Sequence, residues 1–168
     1  YAVQLAKLEG ATVFGTVGNG ERAAHAKSAG CDEVIFYKSE AVAQRVLDLT
    51  QGQGVDVIID LDFASTSLLL PQGALKKHGT CVVYGSNNPA EVPVHFRTLL
   101  WNSLNLRFFL VYDLAPNDRQ AGLDRLQALL HEQKLKHTIG ARFDLSHIAQ
   151  AHQAVEQGQV IGHVVIDL

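Results

Sequence analysis

Three residues that could bind an anion follow the first strand-like segment of the chain. Gly18, Asn19 and Arg22 lie in the stretch GTVGNGERAA, directly after the apolar residues ATVF. A turn from a strand into a helix leaves backbone N–H groups free to bind an anion, and a guanidinium adds a planar, permanent positive charge suited to phosphate. The same residues also fit a simpler role, in which Asn19 caps a helix and Arg22 is a solvated surface charge.

Two further polar residues, Tyr37 and Lys38, come at the end of the next strand-like segment, EVIFY. In a parallel sheet the carboxyl ends of the strands meet at one edge, which is where such folds bind ligands. We therefore expect Tyr37 and Lys38 to emerge beside Gly18. Several polar anchors at one edge favour an anion site over a capped turn alone.

The remaining polar residues give weaker signals. His147 and His152 are five residues apart, not the four that place a metal-binding pair on one helix face, so we expect no metal site. Asp60 and Asp62 share a face at the end of an apolar run, which fits either a carboxylate pair or, more simply, loop capping. No serine lies in a G-x-S-x-G sequence, so hydrolysis is not supported. We assign no catalytic residue.

Composition excludes several classes of protein. A net charge of −3 argues against a nucleic-acid binder that relies on a positive field. No apolar run approaches the roughly 18 residues of a membrane span, so we expect no membrane partner. Cys31 and Cys81 are the only cysteines and are far apart, which gives neither a disulfide framework nor a zinc knuckle and indicates a cytoplasmic setting.

Strand-like and helix-like segments alternate along the chain, which predicts an α/β fold with a mostly parallel sheet. The run VDVIIDL predicts a strand buried on both faces. The predicted strands cover residues 11–16, 33–37, 55–61, 80–85, 104–112 and 163–168. The predicted helices cover residues 2–8, 20–29, 66–77 and 96–102, with a bend at Pro71 and Gly73 in the third. Two more are predicted from a capping serine to the end of an apolar pattern, from Ser39 to 49 and from Ser146 to 157. A further helix is capped by Asn117 or Asp118 and has an apolar stripe of Leu123, Leu126, Leu129 and Leu130.

The order and spacing of five stretches carry a family resemblance. They are AVQLAKLEGATVFGTVGNGER, KSAGCDEVIFYKSE, LTQGQGVDVIIDL, GTCVVYGS and FDLSHIAQAHQAVEQGQVIGHVVIDL. Together they resemble the cofactor-binding half of zinc-independent NADPH:quinone oxidoreductases, the zeta-crystallin-like branch of the medium-chain dehydrogenase/reductase superfamily. The resemblance implies a Rossmann-type, doubly wound sheet.

The resemblance also implies roles for particular residues. Gly18, Arg22 and Tyr37 would hold the 2′-phosphate of NADPH, with Asn19 in the same turn. No acid lies between Thr16 and Asn19, which favours NADP over NAD. The segment LDFAST lacks the glycine that relatives often carry there. The candidates for the loops near the nicotinamide are Ser86, Asn87, Phe109 and Val111.

In the quinone oxidoreductase family that the chain resembles, a first strand and a glycine-rich phosphate loop precede the segment that corresponds to AVQLAK. A GroES-like domain completes the enzyme in that family. We therefore expect residues 1–139 to form an NADP-binding domain that lacks the first strand and glycine loop. Residues 140–168 would be a return segment whose helix and strand pack with the GroES-like domain. Such a fragment is expected to be inactive alone.

The implied reaction is hydride transfer from NADPH to a quinone or a related enone, by a homodimer. Two alternatives stay open. One is an enoyl reductase of the same superfamily, which would differ in its substrate pocket. The other is a nucleotide-binding or structural module without catalysis.

Overall fold

Helices and strands alternate through the computed structural model of the chain, which describes residues 1–88 and 90–168. The strands are β1 (Phe14–Val17), β2 (Glu33–Phe36), β3 (Val55–Asp60), β4 (Leu75–Val83), β5 (Asn105–Phe108), β6 (Ile139–Asp144) and β7 (His163–Asp167). The helices are α1 (Ala2–Leu8), α2 (Gly20–Ser28), α3 (Val42–Leu49), α4 (Phe63–Thr66), α5 (Phe96–Trp101), α6 (Pro116–His131) and α7 (Ile148–Glu156). Pro89, which the sequence places in the loop after β4, lies outside the described residues.

The strands form three parallel ladders. β1 pairs with β2, β4 lies between β3 and β5, and β6 pairs with β7. Parallel strands joined through helices confirm the predicted α/β, Rossmann-type fold. The arrangement places the carboxyl ends of β1 and β2 side by side, and likewise those of β3 and β4.

The main apolar core lies between the β3–β4–β5 ladder and the chain that connects β3 to β4. It consists of Phe63, Leu70, Leu75, Cys81 and Val83. Cys81 and Val83 are two residues apart on β4 and so point to the same face of the sheet. This core fixes the position of the loops that leave the carboxyl ends of β3 and β4.

The expectation that β3 is buried on both faces is wrong in this structure. Ile58 packs against the core, whereas Val57 and Ile59 are each 53 % exposed. The difference arises because Val57 and Ile59 point to the face of β3 opposite Ile58, and the core covers only the Ile58 face.

The predicted helix over residues 66–77 is also wrong. The helical path ends after α4 and a single 3₁₀ turn at Leu70–Gln72, where Gly73 adopts a left-handed conformation. The chain then extends, and Leu75 already pairs with Val55 of β3. Leu75 is buried in the core, so ladder formation and burial outweigh the local helical spacing of the leucines.

The largest errors in strand length concern β1 and β5. β1 begins at Phe14 rather than at Ala11, and β5 ends at Phe108. A 3₁₀ turn at Val111–Asp113 replaces the rest of the expected strand to Tyr112. Residues 109–112, which the apolar pattern assigns to a strand, are exposed in the structure.

Several predicted helix caps differ from the structure. α3 begins beyond Ser39, so that side chain lies outside the capping position. Asn117 and Asp118 lie inside the first turn of α6, because Pro116 starts the helix with a φ angle already suited to it. Ser146 belongs to the 3₁₀ turn before α7.

The apolar stripe of α6 is mostly exposed to solvent. Leu129 is buried, whereas Leu123, Leu126 and Leu130 remain between 43 % and 52 % exposed. In the described part of the chain, none of the helices combines the length and the apolar character needed to cross a lipid bilayer.

Two glycines before β3 provide a matched test of this packing. Gly52 and Gly54 both have positive φ angles, but a β-carbon at Gly54 would lie 2.5 Å from the Gly73 carbonyl oxygen, whereas at Gly52 it would meet open space. Gly52→Ala should lower the free energy of unfolding by about 1–2 kcal/mol through backbone strain alone. Gly54→Ala should lower the free energy of unfolding by a further amount of about 1–3 kcal/mol, because backbone atoms must move to make room for the β-carbon. Urea unfolding of the intact protein measures both, and equal losses would contradict the packing described.

Candidate functional site

A cavity of about 700 Å³ lies at the carboxyl ends of β1 and β2. It is lined by Thr16, Val17, Gly18, Asn19, Arg22, His25, Tyr37, Lys38, Val160, Ile161 and Gly162. The structure thus brings Gly18, Asn19, Arg22 and Tyr37 to one place. The parallel pairing of β1 with β2 is the cause, since it delivers both strand ends to the same edge of the sheet.

Asn19 positions Arg22 through a helix cap. Asn19 has an extended backbone, and its Oδ1 accepts a hydrogen bond of 2.9 Å from the backbone N–H of Arg22. The predicted cap is therefore confirmed. The Arg22 side chain is exposed. Its Nη2 donates to the carbonyl oxygen of Gly158 at 3.3 Å, which ties the side chain to the far end of the chain.

Gly18 and Tyr37 are in close contact. A β-carbon on Gly18 would lie 2.9 Å from Tyr37 Oη. Tyr37 is held there because its backbone N–H donates to the carbonyl oxygen of Val17 at 3.2 Å, which extends the β1–β2 pairing. The absence of a side chain at residue 18 therefore lets the tyrosine hydroxyl lie at the cavity wall.

The cavity is suited to an anion. Arg22 and Lys38 contribute positive charge, and His25 adds a ring nitrogen that can donate a hydrogen bond. Among the described residues, the lining includes neither aspartate nor glutamate. Glu21 precedes Arg22 in the helix but stays outside the lining.

Sequence reasoning missed part of this lining. His25 lies one helical turn after Arg22, and that spacing could have identified it. The segment Val160–Gly162 approaches from the far end of the chain. The Arg22–Gly158 contact joins residues 136 positions apart, and no local pattern predicts such a contact.

A second cavity, of about 580 Å³, lies at the carboxyl ends of β4 and β5. Its described lining is Phe63, Val83, Tyr84, Gly85, Ser86, Asn88, Ala90, Val92, Phe108, Phe109 and Leu110. Of the four residues predicted for the loops near the nicotinamide, Ser86 and Phe109 line this cavity together. Asn87 and Val111 fall outside the lining that the described residues define.

The loops after β3 and β4 are tied together beside this cavity. Asp62 Oδ1 accepts a 2.9 Å hydrogen bond from the backbone N–H of Asn87, and Ser86 Oγ accepts a 3.3 Å bond from the backbone N–H of Ala64. The hydrogen bonds from Asn87 and from the Ser65 hydroxyl lower the pKa of Asp62 below its usual value. The carboxylate is therefore ionised at neutral pH and acts as an acceptor.

Asp60 serves the loop after β3 in the same way. Its Oδ1 accepts hydrogen bonds from the Thr66 hydroxyl at 2.7 Å and from the backbone N–H of Asp62 at 3.0 Å. The two carboxylates thus bind separate loop donors, as expected for loop capping. Within the described residues, the buried Oδ2 of Asp60 has no donor.

Both cysteines are free thiols in buried positions. Burial, with the nearby Asp60 carboxylate as a second cause, raises the pKa of the Cys81 thiol to about 11. Burial also raises the pKa of Cys31. Because the thiolate is the reactive form, neither side chain is a nucleophile near neutral pH. The described residues include no cluster of three or more His, Cys, Asp or Glu that could hold a metal ion.

Residues 1–128 match the protein family described as zinc-binding dehydrogenase. This match covers most of the chain, including the whole described lining of the second cavity and all of the first except Val160–Gly162. The chain belongs to the zinc-binding dehydrogenase family, within the medium-chain dehydrogenase/reductase superfamily. The resemblance inferred from the sequence is therefore confirmed at the level of the superfamily and of its nucleotide-binding region.

Curated relatives in this family include several kinds of reductase. The chain is 31 % identical to a quinone oxidoreductase of Pseudomonas aeruginosa, over 99 % of the chain and 52 % of that protein. It is 28 % identical to a 2-haloacrylate reductase of a Burkholderia species, over 98 % of the chain and 50 % of that protein. The chain thus spans about half the length of the curated relatives it matches.

Solved structures show the same fold. An NAD-dependent alcohol dehydrogenase superposes with a TM-score of 0.84 at 27 % identity, over 99 % of this chain and 47 % of that one. A mycobacterial protein solved in complex with NADPH superposes with a TM-score of 0.79 at 27 % identity, over 98 % and 52 %. The family and its fold are therefore shown, while both cofactors occur among similar proteins.

The Asn19 cap can be tested by substitution. Asn19→Ala should destabilise the intact protein by about 0.5–2 kcal/mol, because the backbone N–H of Arg22 loses its acceptor. Ser39→Ala serves as the control, since Ser39 is exposed and lies before the start of α3. Denaturant unfolding should separate the two variants. Comparable stability for both would show that Asn19 does not cap α2.

Proposed function

We propose that this chain is the NADPH-binding half of an oxidoreductase that reduces a quinone or a related enone. The observation that carries the proposal is the contact between Gly18 and Tyr37 at a cavity that also contains Arg22, His25 and Lys38. The family relationship supports a nicotinamide cofactor, and the quinone oxidoreductase relative supports the substrate class.

The first cavity fits the 2′-phosphate and adenosine of NADPH. A phosphate needs several donors and positive charge, and Arg22, Lys38 and the Tyr37 hydroxyl provide them within one lining. NAD instead requires an acid to accept its two ribose hydroxyls. The described lining offers no such acid, so NADPH is favoured even though NAD-dependent dehydrogenases share the fold.

The second cavity fits the other end of the cofactor and the substrate. Its walls combine aromatic rings, Tyr84 and Phe109, whose centroids are 5.6 Å apart, with the hydroxyl of Ser86. Apolar walls exclude water and hold a flat ring, while a few polar groups fix its orientation. When bound, the nicotinamide supplies the hydride, and the side chains described here bind and orient it.

We also propose the domain division, the cellular location and the oligomeric state that the sequence predicts. In this proposal, residues 1–139 form the cofactor-binding domain, and residues 140–168 form the segment that packs with the GroES-like domain. The latter segment also borders the first cavity through Val160–Gly162. The complete enzyme is proposed to be a cytoplasmic homodimer. The cytoplasmic location follows from the cysteine content of the sequence, and the homodimer follows from the family resemblance.

An enoyl reductase remains the second candidate. The specific observation in its favour is the similarity to 2-haloacrylate reductase, which covers nearly the whole chain. Both candidates would use the same cofactor site, so they differ only in the acceptor. Steady-state assays of the intact protein distinguish them: a quinone or a simple enone tests the first candidate, and an α,β-unsaturated acid or thioester tests the second. If none of these compounds is reduced, the non-catalytic nucleotide-binding module becomes the favoured interpretation.

Arg22 should determine the cofactor preference. In the intact protein, Arg22→Glu should weaken NADPH binding at least about tenfold, since a charged hydrogen bond is lost and repulsion is added. NADH binding should change much less. Lys27→Glu is the matched control, because Lys27 lies on the same helix but outside the cavity lining.

Fluorescence titration of both cofactors measures this effect. Equal use of NADH and NADPH by the wild-type protein would contradict the assignment of the cavity to the 2′-phosphate. An equal loss of NADPH affinity in Lys27→Glu would show that only the net charge of α2 matters.

A further inference from the structure

The loops after β3 and β4 approach each other closely at their base. A β-carbon on Gly85 would lie 2.7 Å from the carbonyl oxygen of Leu61. The backbone N–H of Phe63 donates to the carbonyl oxygen of Gly85 at 3.2 Å. Beyond this point, the path of the second loop depends on the bonds made by Ser86 and Asn87.

The loop after β4 is hydrogen-bonded to the loop after β3 through the backbone of Asn87, on the side away from the second cavity. The neighbouring residues Ser86 and Asn88 line the second cavity, whereas Asn87 is outside the described lining. The backbone N–H of Asn87 instead donates to Asp62 Oδ1 at 2.9 Å. An acceptor that carries a full charge makes this a stronger bond than one to a neutral group.

Asp62 does not use its carboxylate in the usual way for its position. It stands at the N-cap of α4, where an aspartate commonly accepts a backbone N–H of its own helix. Here Oδ2 accepts the Ser65 hydroxyl at 2.7 Å, and Oδ1 reaches the other loop. The side chain therefore connects the carboxyl ends of two neighbouring strands.

We infer that Asp62 is a positioning residue, whose carboxylate fixes the backbone of Asn87 and thereby holds residues 84–88 as the wall of the nicotinamide end of the site. This inference rests on the proposed function. It assigns to Asp62 a role in cofactor binding without direct contact with the cofactor. The role follows from the geometry of the Asp62–Asn87 bond and from the cavity-facing residues on either side of Asn87.

The test separates the two ends of the cofactor. NADPH spans both cavities in the proposed mode, whereas 2′,5′-ADP carries the adenosine with its 2′- and 5′-phosphates and has no nicotinamide half. In the intact protein, Asp62→Ala should raise the dissociation constant of NADPH at least about fivefold, which corresponds to one lost hydrogen bond. The dissociation constant of 2′,5′-ADP should be unchanged. Amide hydrogen exchange at Asn87, measured without ligand, should become faster.

Two further variants control for a general loss of structure. Asp62→Asn keeps an acceptor oxygen and should restore NADPH affinity and the slow exchange of Asn87. Ser65→Ala removes the other partner of the same carboxylate but leaves the bond to Asn87, so it should resemble wild type. If Asp62→Ala does not unfold cooperatively, Asp62→Ser replaces it, because the serine hydroxyl is too short to reach Asn87.

The outcomes distinguish this inference from the proposed function. Equal weakening of both ligands, unchanged NADPH affinity, or unchanged exchange at Asn87 would overturn the role of Asp62. A wild-type protein that binds neither NADPH nor 2′,5′-ADP would overturn the proposed function itself. Selective weakening of NADPH with rescue by Asp62→Asn would support the inference.

Discussion

The parallel pairing of β1 with β2 is the constraint on which the cavity beside Gly18 depends. This pairing places Thr16 opposite Ile35 and Val17 opposite Phe36, and it continues into the bond from Tyr37 N–H to the Val17 carbonyl oxygen. Tyr37 consequently lies over Gly18, where only a hydrogen side chain leaves room for its hydroxyl. A change of register would separate the two residues and remove one wall of the cavity.

The same principle operates a second time at β3 and β4. Their carboxyl ends meet over a core built from Phe63, Cys81 and Val83, and the loops that leave them are joined by Asp62 and Ser86. In the first cavity charge and a small residue define the site, while in the second aromatic walls and a hydrogen-bonded loop do so. Between them, the two cavities could accommodate the two chemically different ends of a dinucleotide.

Local sequence predicted what depends on neighbouring residues and on strand direction. The meeting of Gly18, Arg22 and Tyr37 followed from two consecutive strands with a shared carboxyl edge, and the Asn19 cap followed from its place before a helix. The early start of β4 at Leu75 did not follow, since pairing with Val55 and burial in the core decide it. The contact of Arg22 with Gly158, and the bond from Asn87 to Asp62, join distant segments through tertiary packing, and a single sequence carries no signal for them.

We propose that the cavity beside Gly18 binds the 2′-phosphate of NADPH. Calorimetric titration of the intact protein with 2′,5′-ADP and with 5′-AMP tests it most directly, since only the former carries the 2′-phosphate. We predict that 2′,5′-ADP binds at least about tenfold more tightly, the effect of a charged hydrogen bond. Gly18→Ala should reduce this difference because it displaces Tyr37, whereas Gly20→Ala, where a β-carbon meets open space, should preserve it. Equal affinity of the wild-type protein for the two nucleotides would contradict the account.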